Sequence, residues 1–260
     1  MKVVIFCGGK GTRLREETEY RPKPMVPIGH RPILWHIMKL YAHYGHTDFI
    51  LCLGYKGEMI QNFFRNYLWM TSDVTLRLGR DPEIKFHDRH TEENWFVTLA
   101  DTGEETMTAR RLKKIERYIG DDETFLLTYG DGVGDVHIPS IIAEHKKNGA
   151  LMTITAVHPS GRFGELELAP NDRVTGFNEK PQAEGGWING GFFAVSRGVF
   201  DYLENVEDVM LERGPLNKLA AKGNLAAYRH EGFWQPMDTY QEFLYLNRLW
   251  RENRAPWKVW

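Results

Sequence analysis

Cysteine is scarce in this chain. Cys7 and Cys52 are the only two among 260 residues, too few for a disulfide framework, and each stands inside an apolar run, so both are read as buried, inert thiols. Excess charge is lacking as well: 33 Lys+Arg against 35 Asp+Glu leaves a formal net charge of -2. That balance excludes the global basic field of a nonspecific nucleic-acid binder, so any anionic ligand has to be met by local groups. No apolar run approaches the ~18 residues of a membrane helix, and the opening "MKVVIFCGG" is too short and too glycine-broken for a secretory signal. A cytoplasmic protein with neither a membrane nor a nucleic-acid partner is expected. Internal repeats and low-complexity linkers are also missing. The remaining composition, 42% hydrophobic and 26% charged, is that of a globular chain with a sizeable core.

Within that core, strand-like and helix-like segments alternate. "KVVIF" precedes "PILWHIMKLYAHYG", where Leu34, Ile37, Met38 and Tyr41 recur at helical spacing. "DFILCLGY" reads as a strand, "EMIQNFFRNYL" as a helix and "ETFLLTYGDG" as a strand ending in a turn, and "IPSIIAEHKKNG" with "LMTITAV" continues the rhythm. Such alternation predicts an α/β fold, a sheet flanked by helices. Residues 71 to about 100 break it, and "DVTLRLG", "EIKFHDRH" and "WFVTLADT" are expected as inserted short antiparallel strands. After residue 160, "ELELA", "RVTGF" and "GGFFAV" suggest a mixed, partly antiparallel half that ends in the helix "YQEFLYLNRLWREN" and the tail "APWKVW". A single domain over 1–260 is expected.

The glycine-rich stretch "FCGGKGTRLR" matches neither common phosphate loop. Walker A requires G-x-x-x-x-G-K-[ST], which fits nowhere in the chain, and a Rossmann fingerprint read from Gly9 meets Leu14 where its third glycine belongs. What remains is G-G-x-G-T-R. Consecutive N–H groups of Gly8, Gly9 and Gly11 can curl around phosphate oxygens while Arg13 adds a charge-assisted fork; a plain strand-to-helix turn is the alternative. In "RPKPMVPIGHRPIL", prolines 22, 24, 27 and 32 stiffen an extended segment that presents Lys23 as a point charge. In "TYGDGVGD", Asp131 ends a predicted strand, where open α/β sheets bind ligands, and its carboxylate suits Mg2+. Asp238, in "GFWQPMDTYQEF", is open to two roles, capping the last helix or binding metal.

These four pieces in this order resemble the sugar-1-phosphate nucleotidylyltransferase family, whose G-G-x-G-T-R-L and P-K-P-M signatures stand here as "GGKGTRL" and "PKPM". "RPILWHIMKLYAHYG", "SGRFGELEL", "INGGFFAV", "GFWQPMDT" and "APWKVW" extend the likeness along the chain, toward the branch that uses CTP and glucose 1-phosphate. The resemblance implies a Rossmann-like nucleotidyltransferase fold with a mixed central sheet, residues 1–150 mainly binding nucleotide and 151–260 mainly sugar phosphate. It implies the reaction CTP + α-D-glucose 1-phosphate ⇌ CDP-glucose + pyrophosphate, Mg2+ as cofactor, and a homo-oligomer such as a hexamer. Residue by residue, it puts Gly8, Gly9, Gly11, Thr12 and Arg13 at the nucleotide phosphates, Lys23 at the triphosphate, and Thr106, Thr108 and Arg111 of "TMTARRL" over the nucleotide. Asp131 and Asp238 match the metal ligands; Glu179, Lys180, Asn189 and Gly190 match the sugar-phosphate site. The same resemblance implies that Arg13, Lys23, Asp131 and Lys180 carry catalysis. Arg110 and Arg111 both remain candidates for the nucleotide contact, and a solvated charged face is the alternative. His87, Asp88, Arg89 and His90 are read as a charged surface rather than a metal cluster, His36 and His43 as structural, and Trp250, Trp257 and Trp260 as packing or interface anchors.

Overall fold

The computed structural model describes residues 1–87, 94–159, 165–168, 174–178, 186–203 and 208–260; of 15, 16, 165–168 and 174–178 it describes only the backbone. In chain order the elements used below are β1 (Val3–Phe6), α1 (Ile33–His43), β2 (Asp48–Leu53), α2 (Gly57–Arg65), β3 (Val74–Arg77), β4 (Glu83–Phe86), β5 (Phe96–Asp101) and α3 (Thr108–Lys114). They continue with β6 (Thr124–Tyr129), β7 (Gly132–Gly134), α4 (Ile138–Asn148), β8 (Met152–Val157), β9 (Glu165–Leu168), β10 (Val174–Asn178), β11 (Ile188–Ser196), α5 (Pro215–Ala221), β12 (Leu225–His230), β13 (Trp234–Pro236) and α6 (Tyr240–Arg251).

Seven strands form one sheet in the order β12-β8-β11-β6-β1-β2-β5. β11 alone runs against the others, antiparallel to both β6 and β8, which makes the sheet mixed, as expected. All four residues of β1 are buried because helices cover both faces, the usual condition of parallel strands. Alternate side chains divide between two cores. Val3, Ile5 and Cys7 pack with Leu34, Ile37 and Tyr41 of α1, Ile141 of α4 and Leu246 of α6. Val4 and Phe6 pack with Leu112 of α3, Phe200 and Leu219 of α5.

One expectation needs correction. β3 and β4 do form an antiparallel hairpin, and β9 pairs antiparallel with β10, but "WFVTLADT" is not part of the insertion. It becomes β5, which pairs in parallel with β2 from Asp48↔Phe96 to Leu53↔Asp101 and closes one edge of the main sheet. Its Leu99 packs against one core and its Ala100 lies in the other, so burial on both faces draws the run into the sheet. The tail folds back on its own chain: Trp257 has no exposed surface, stacks with Phe233 at 5.6 Å and faces His36, whose Nδ1 lies 3.4 Å from its indole nitrogen. Trp257 is therefore intramolecular packing, and burial lowers the His36 pKa to about 4.

Cys7 and Cys52 are buried and free, with burial as the main cause pushing both thiol pKa values up. His87 bonds Thr75 Oγ1 at 2.8 Å through Nε2, while Asp88, Arg89 and His90 lie outside the described residues. Among the described residues no helix is long and apolar enough to cross a membrane.

Candidate active site

β1 and β6 are parallel neighbours in register, Phe6 beside Tyr129, so the glycine loop and Gly130–Asp131 leave the sheet side by side. β2 flanks β1 on one side and β11 flanks β6 on the other, the arrangement that opens a crevice at carboxyl strand ends. Two glycines permit the close approach. Gly11 has φ +62° and an ideal Cβ there would stand 2.8 Å from Thr18 Cγ2, a conformation that favours glycine. A Cβ on Gly130 would stand 2.9 Å from the Phe6 carbonyl oxygen.

Asp238 reaches Asp131 through strand pairing. β7 and β13 are antiparallel, with Gly132 opposite Pro236; one step further Met237 N donates to Asp131 O at 2.8 Å. The two carboxylates thus flank one point, and Lys23 occupies it. Its ammonium donates to Asp131 Oδ2 at 2.8 Å and to Asp238 Oδ1. Arg13 closes the cluster from the open side, 2.7 Å from Asp238 Oδ2. Lys23 is 8% exposed; burial works to lower its pKa, but the charges and hydrogen bonds of Asp131 and Asp238 outweigh it and leave the pKa raised. Of the two roles open to Asp238, helix capping belongs to its neighbour. Thr239 is the N-cap of α6, in a reciprocal capping box with Glu242, which leaves the Asp238 carboxylate for the cations.

The other side of the glycine loop is built differently. Arg111 is 3% exposed and donates to the carbonyl oxygens of Leu53 (2.8 Å), Gly8 (3.1 Å) and Glu104 (3.0 Å) and to Thr102 Oγ1 (2.6 Å). A Cβ on Gly8 would fall inside its guanidinium. Arg111 therefore sits beneath the loop with its donors committed to the fold, whereas Arg110 is exposed. Thr106 accepts from Lys114 at 3.2 Å, and the Thr108 hydroxyl accepts from Leu211 N at 2.7 Å while donating to Glu212 Oε2 at 3.4 Å. Neither threonine joins the Lys23 cluster. Gly9 and Thr12 are exposed at the loop's outer edge; Thr12 borders a recess shared with Lys10, Thr18, Glu19 and Tyr55.

Across Asp131 lies a second pocket, lined by Tyr129, Asn189, Gly190, Gly191 and Trp234. Trp234 Nε1 donates to Gly190 O at 2.7 Å, fixing the strand there. Asn189 and Gly190 thus line one pocket together with Asp131, while Glu179 and Lys180 lie outside the described residues. Sequence reasoning missed Glu212 and Tyr129. Tyr129 had a signal, its position two residues before Asp131 at a predicted strand end; Glu212, in "MLERGP", had none.

Asp131 and Asp238 offer hard oxygen donors converging on one cation. Such a pair fits a divalent ion that takes one or two carboxylates and completes its shell with substrate phosphates. Among the described residues no group of three or more metal-ligating side chains stands together, so substrate phosphates and water would complete that shell.

The family model described as Nucleotidyl transferase matches residues 2–248. The chain belongs to that family. It is 49% identical over 260 residues, all of both chains, to the glucose-1-phosphate cytidylyltransferase of Salmonella typhimurium. Among solved structures it resembles HddC from Yersinia pseudotuberculosis, at 21% identity and a TM-score of 0.70 over 96% of this chain and 99% of that one. It also resembles the UTP-bound UGPase from Acinetobacter baumannii, at 15% identity and a TM-score of 0.65 over 96% and 92%. The structural likenesses show a shared fold; the full-length relative and the family model make the protein a nucleotidyltransferase, whose class of substrates is a nucleoside triphosphate and a sugar phosphate.

Proposed function

We propose that the protein joins CTP and α-D-glucose 1-phosphate to give CDP-glucose and pyrophosphate. The observation that carries this is the convergence of Arg13, Lys23, Asp131 and Asp238 on one point between the glycine loop and the Asn189 pocket, in a chain 49% identical end to end to a cytidylyltransferase acting on glucose 1-phosphate. The nucleophile is a phosphate oxygen already ionised at neutral pH, so no general base is needed. Catalysis is the positioning of two polyanions and the stabilisation of charge as the α-phosphorus changes partners.

Gly8, Gly9, Gly11 and Thr12 would receive the triphosphate on backbone N–H groups. Lys23 holds the α-phosphate, and Arg13, the most exposed of the cluster, meets the departing pyrophosphate. Lys180 and Glu179 are assigned to the sugar phosphate beside Asn189 and Gly190. Asp131 and Asp238 would hold Mg2+, which when bound supplies Lewis-acid polarisation of the phosphate under attack. Residues 1–150 would mainly serve the nucleotide and 151–260 mainly the sugar phosphate, and a cytoplasmic protein goes with these substrates. A homo-oligomer, such as a hexamer, is proposed on the exposed apolar side chains Leu76, Leu78 and Ile84 at the β3–β4 hairpin, and light scattering tests it.

The deciding experiment incubates the purified protein with each nucleoside triphosphate, glucose 1-phosphate and Mg2+ and measures pyrophosphate. CTP is expected to support the fastest release. Faster release with dTTP or UTP would remove the cytidylyl assignment while leaving nucleotidyl transfer intact.

A further inference from the structure

Besides Asn189, the pocket beside Asp131 is bordered by polar groups that the reaction described above does not use. Tyr129 ends β6, and its ring lies against Gly191, where φ is +78° and an ideal Cβ would stand 2.6 Å from Tyr129 Cδ2. Only glycine lets the phenol form this wall. The phenol donates its proton to Glu212 Oε1, and its oxygen accepts from Asn189 Nδ2 at 3.5 Å. Asn189 is itself oriented, because its Oδ1 accepts from Gly191 N at 2.9 Å. Glu212 Oε2 takes the Thr108 hydroxyl at 3.4 Å. Among the described residues the carboxylate pairs with no lysine or arginine.

Spending a half-buried carboxylate on a phenol and a hydroxyl is a poor way to gain stability, since desolvating the charge offsets much of what the hydrogen bonds return. It is a good way to fix a direction. Burial, followed by the Glu212 charge and hydrogen bond, pushes the Tyr129 pKa well up, so the phenol keeps its proton, and among the described residues Glu212 is the acceptor toward which it turns. With its proton turned toward Glu212, the phenol oxygen of this pocket-lining residue has only lone pairs to offer a further partner.

We propose that Glu212 is a positioning residue for the hexose: it turns the Tyr129 proton away from the pocket, so that the phenol oxygen accepts a hydrogen bond from a hydroxyl of the sugar phosphate. The inference rests on the proposed function in taking the Asn189 pocket as the hexose site. It names a specificity determinant outside the glycine loop and the charged cluster.

The test is steady-state kinetics on wild type, Glu212→Met, Glu212→Gln, Tyr129→Phe and the Glu212→Met/Tyr129→Phe double variant. Met is about as long as Glu but offers only a weak thioether acceptor; Gln keeps an acceptor oxygen. Glu212→Met is expected to raise KM for glucose 1-phosphate about tenfold, the size of one well-made hydrogen bond, with kcat and KM for CTP within about threefold of wild type. Glu212→Gln should restore KM to within about threefold of wild type, and in the Tyr129→Phe background Glu212→Met should have no further effect, because the proton it orients is gone. Equal KM values for the Met and Gln variants, or additive effects in the double variant, would overturn the proposal. So would a loss confined to Tm. If wild type prefers another nucleotide or hexose 1-phosphate, the functional assignment falls, yet the same comparison run with the preferred pair still decides the role of Glu212.

Discussion

Two arginines flank the glycine loop, and they have opposite surroundings. Arg13, in front, has 69% of its side chain exposed and, among the described residues, one ion-pair partner, Asp238. Arg111, behind, is 3% exposed and serves four oxygen acceptors, three of them backbone carbonyls. The charge is the same, but the environments assign different work. A cation held by a single carboxylate at the mouth of a crevice can exchange that partner for a phosphate at small cost. A buried cation with both terminal nitrogens spent on the fold cannot, and what it contributes is the shape of the loop. A pattern such as "GTR" or "ARR" names the residue type; exposure and partner count decide whether the residue binds or builds.

The comparison breaks first on activity. Arg13→Ala and Asp131→Asn are each expected to lower turnover by about 10²–10³ while leaving the fold intact, the range for losing one preorganised electrostatic contact. Pyrophosphate release and circular dichroism check the two halves of that statement, and near wild-type turnover in either variant would remove the front of the loop from catalysis. Arg111→Met should show the reverse emphasis. It removes the charged donor from Thr102 Oγ1 and from the carbonyls of Leu53, Gly8 and Glu104, of which Leu53 keeps Thr102 and Gly8 keeps Tyr55 N as partners. With four hydrogen bonds of a largely buried network lost, unfolding free energy should fall by about 2–4 kcal/mol. Denaturant titration measures it. A loss no larger than that of Arg13→Ala would show that the back of the loop is not held this way.

How far the sequence announced this division depends on the distance between partners. Gly8 to Arg13 follow a strand within a few residues, and Lys23 is stiffened by prolines on both sides, so local chemistry was enough to select them. Asp131 was marked by its strand end. That Asp238 would meet it depends on β7 pairing with β13, and capping by Thr239 rather than Asp238 shows only once α6 is seen to begin at Tyr240. Whether Arg110 or Arg111 turns inward is a matter of helix phase: Ala109 and Leu112 are buried, and that face carries Arg111 inside. β5 was assigned to the inserted hairpins because alternation reveals a strand but not its direction or its neighbour. Glu212 was invisible because its partner lies 83 residues away and nothing local in "MLERGP" distinguishes a buried carboxylate from a solvated one.

Alkaline pH sharpens the contrast through the two thiols behind the loop. Burial pushes the Cys52 pKa up to about 12, whereas an unfolded thiol ionises near ~8.5. Between those values the unfolded chain binds fewer protons than the folded one, so stability should fall as pH rises through that window. In the native protein at pH 8, a thiolate-selective reagent should label neither Cys7 nor Cys52 ahead of global unfolding, as both have no exposed surface. In Arg111→Met the labelling rate should rise about tenfold or more as opening becomes easier by at least ~1.4 kcal/mol. Unchanged labelling would mean that Arg111 does not seal the back of the loop.

The smallest effect separates the loop's adjacent glycines. At Gly8 a methyl group would run into the Arg111 guanidinium, while at Gly9 an ideal Cβ meets nothing within 4 Å, and φ there is not positive. Gly9→Ala therefore meets no steric objection from the fold, and its stability should stay within about 0.5 kcal/mol of wild type. Its cost is expected in binding alone: a methyl group on the outer face keeps the triphosphate from the backbone N–H groups, and KM for CTP should rise about three- to tenfold, equal to ~0.7–1.4 kcal/mol. A stable Gly9→Ala variant with unaltered KM would mean that the nucleotide does not approach that face, and the empty space over Gly9 would then be an accident of the turn.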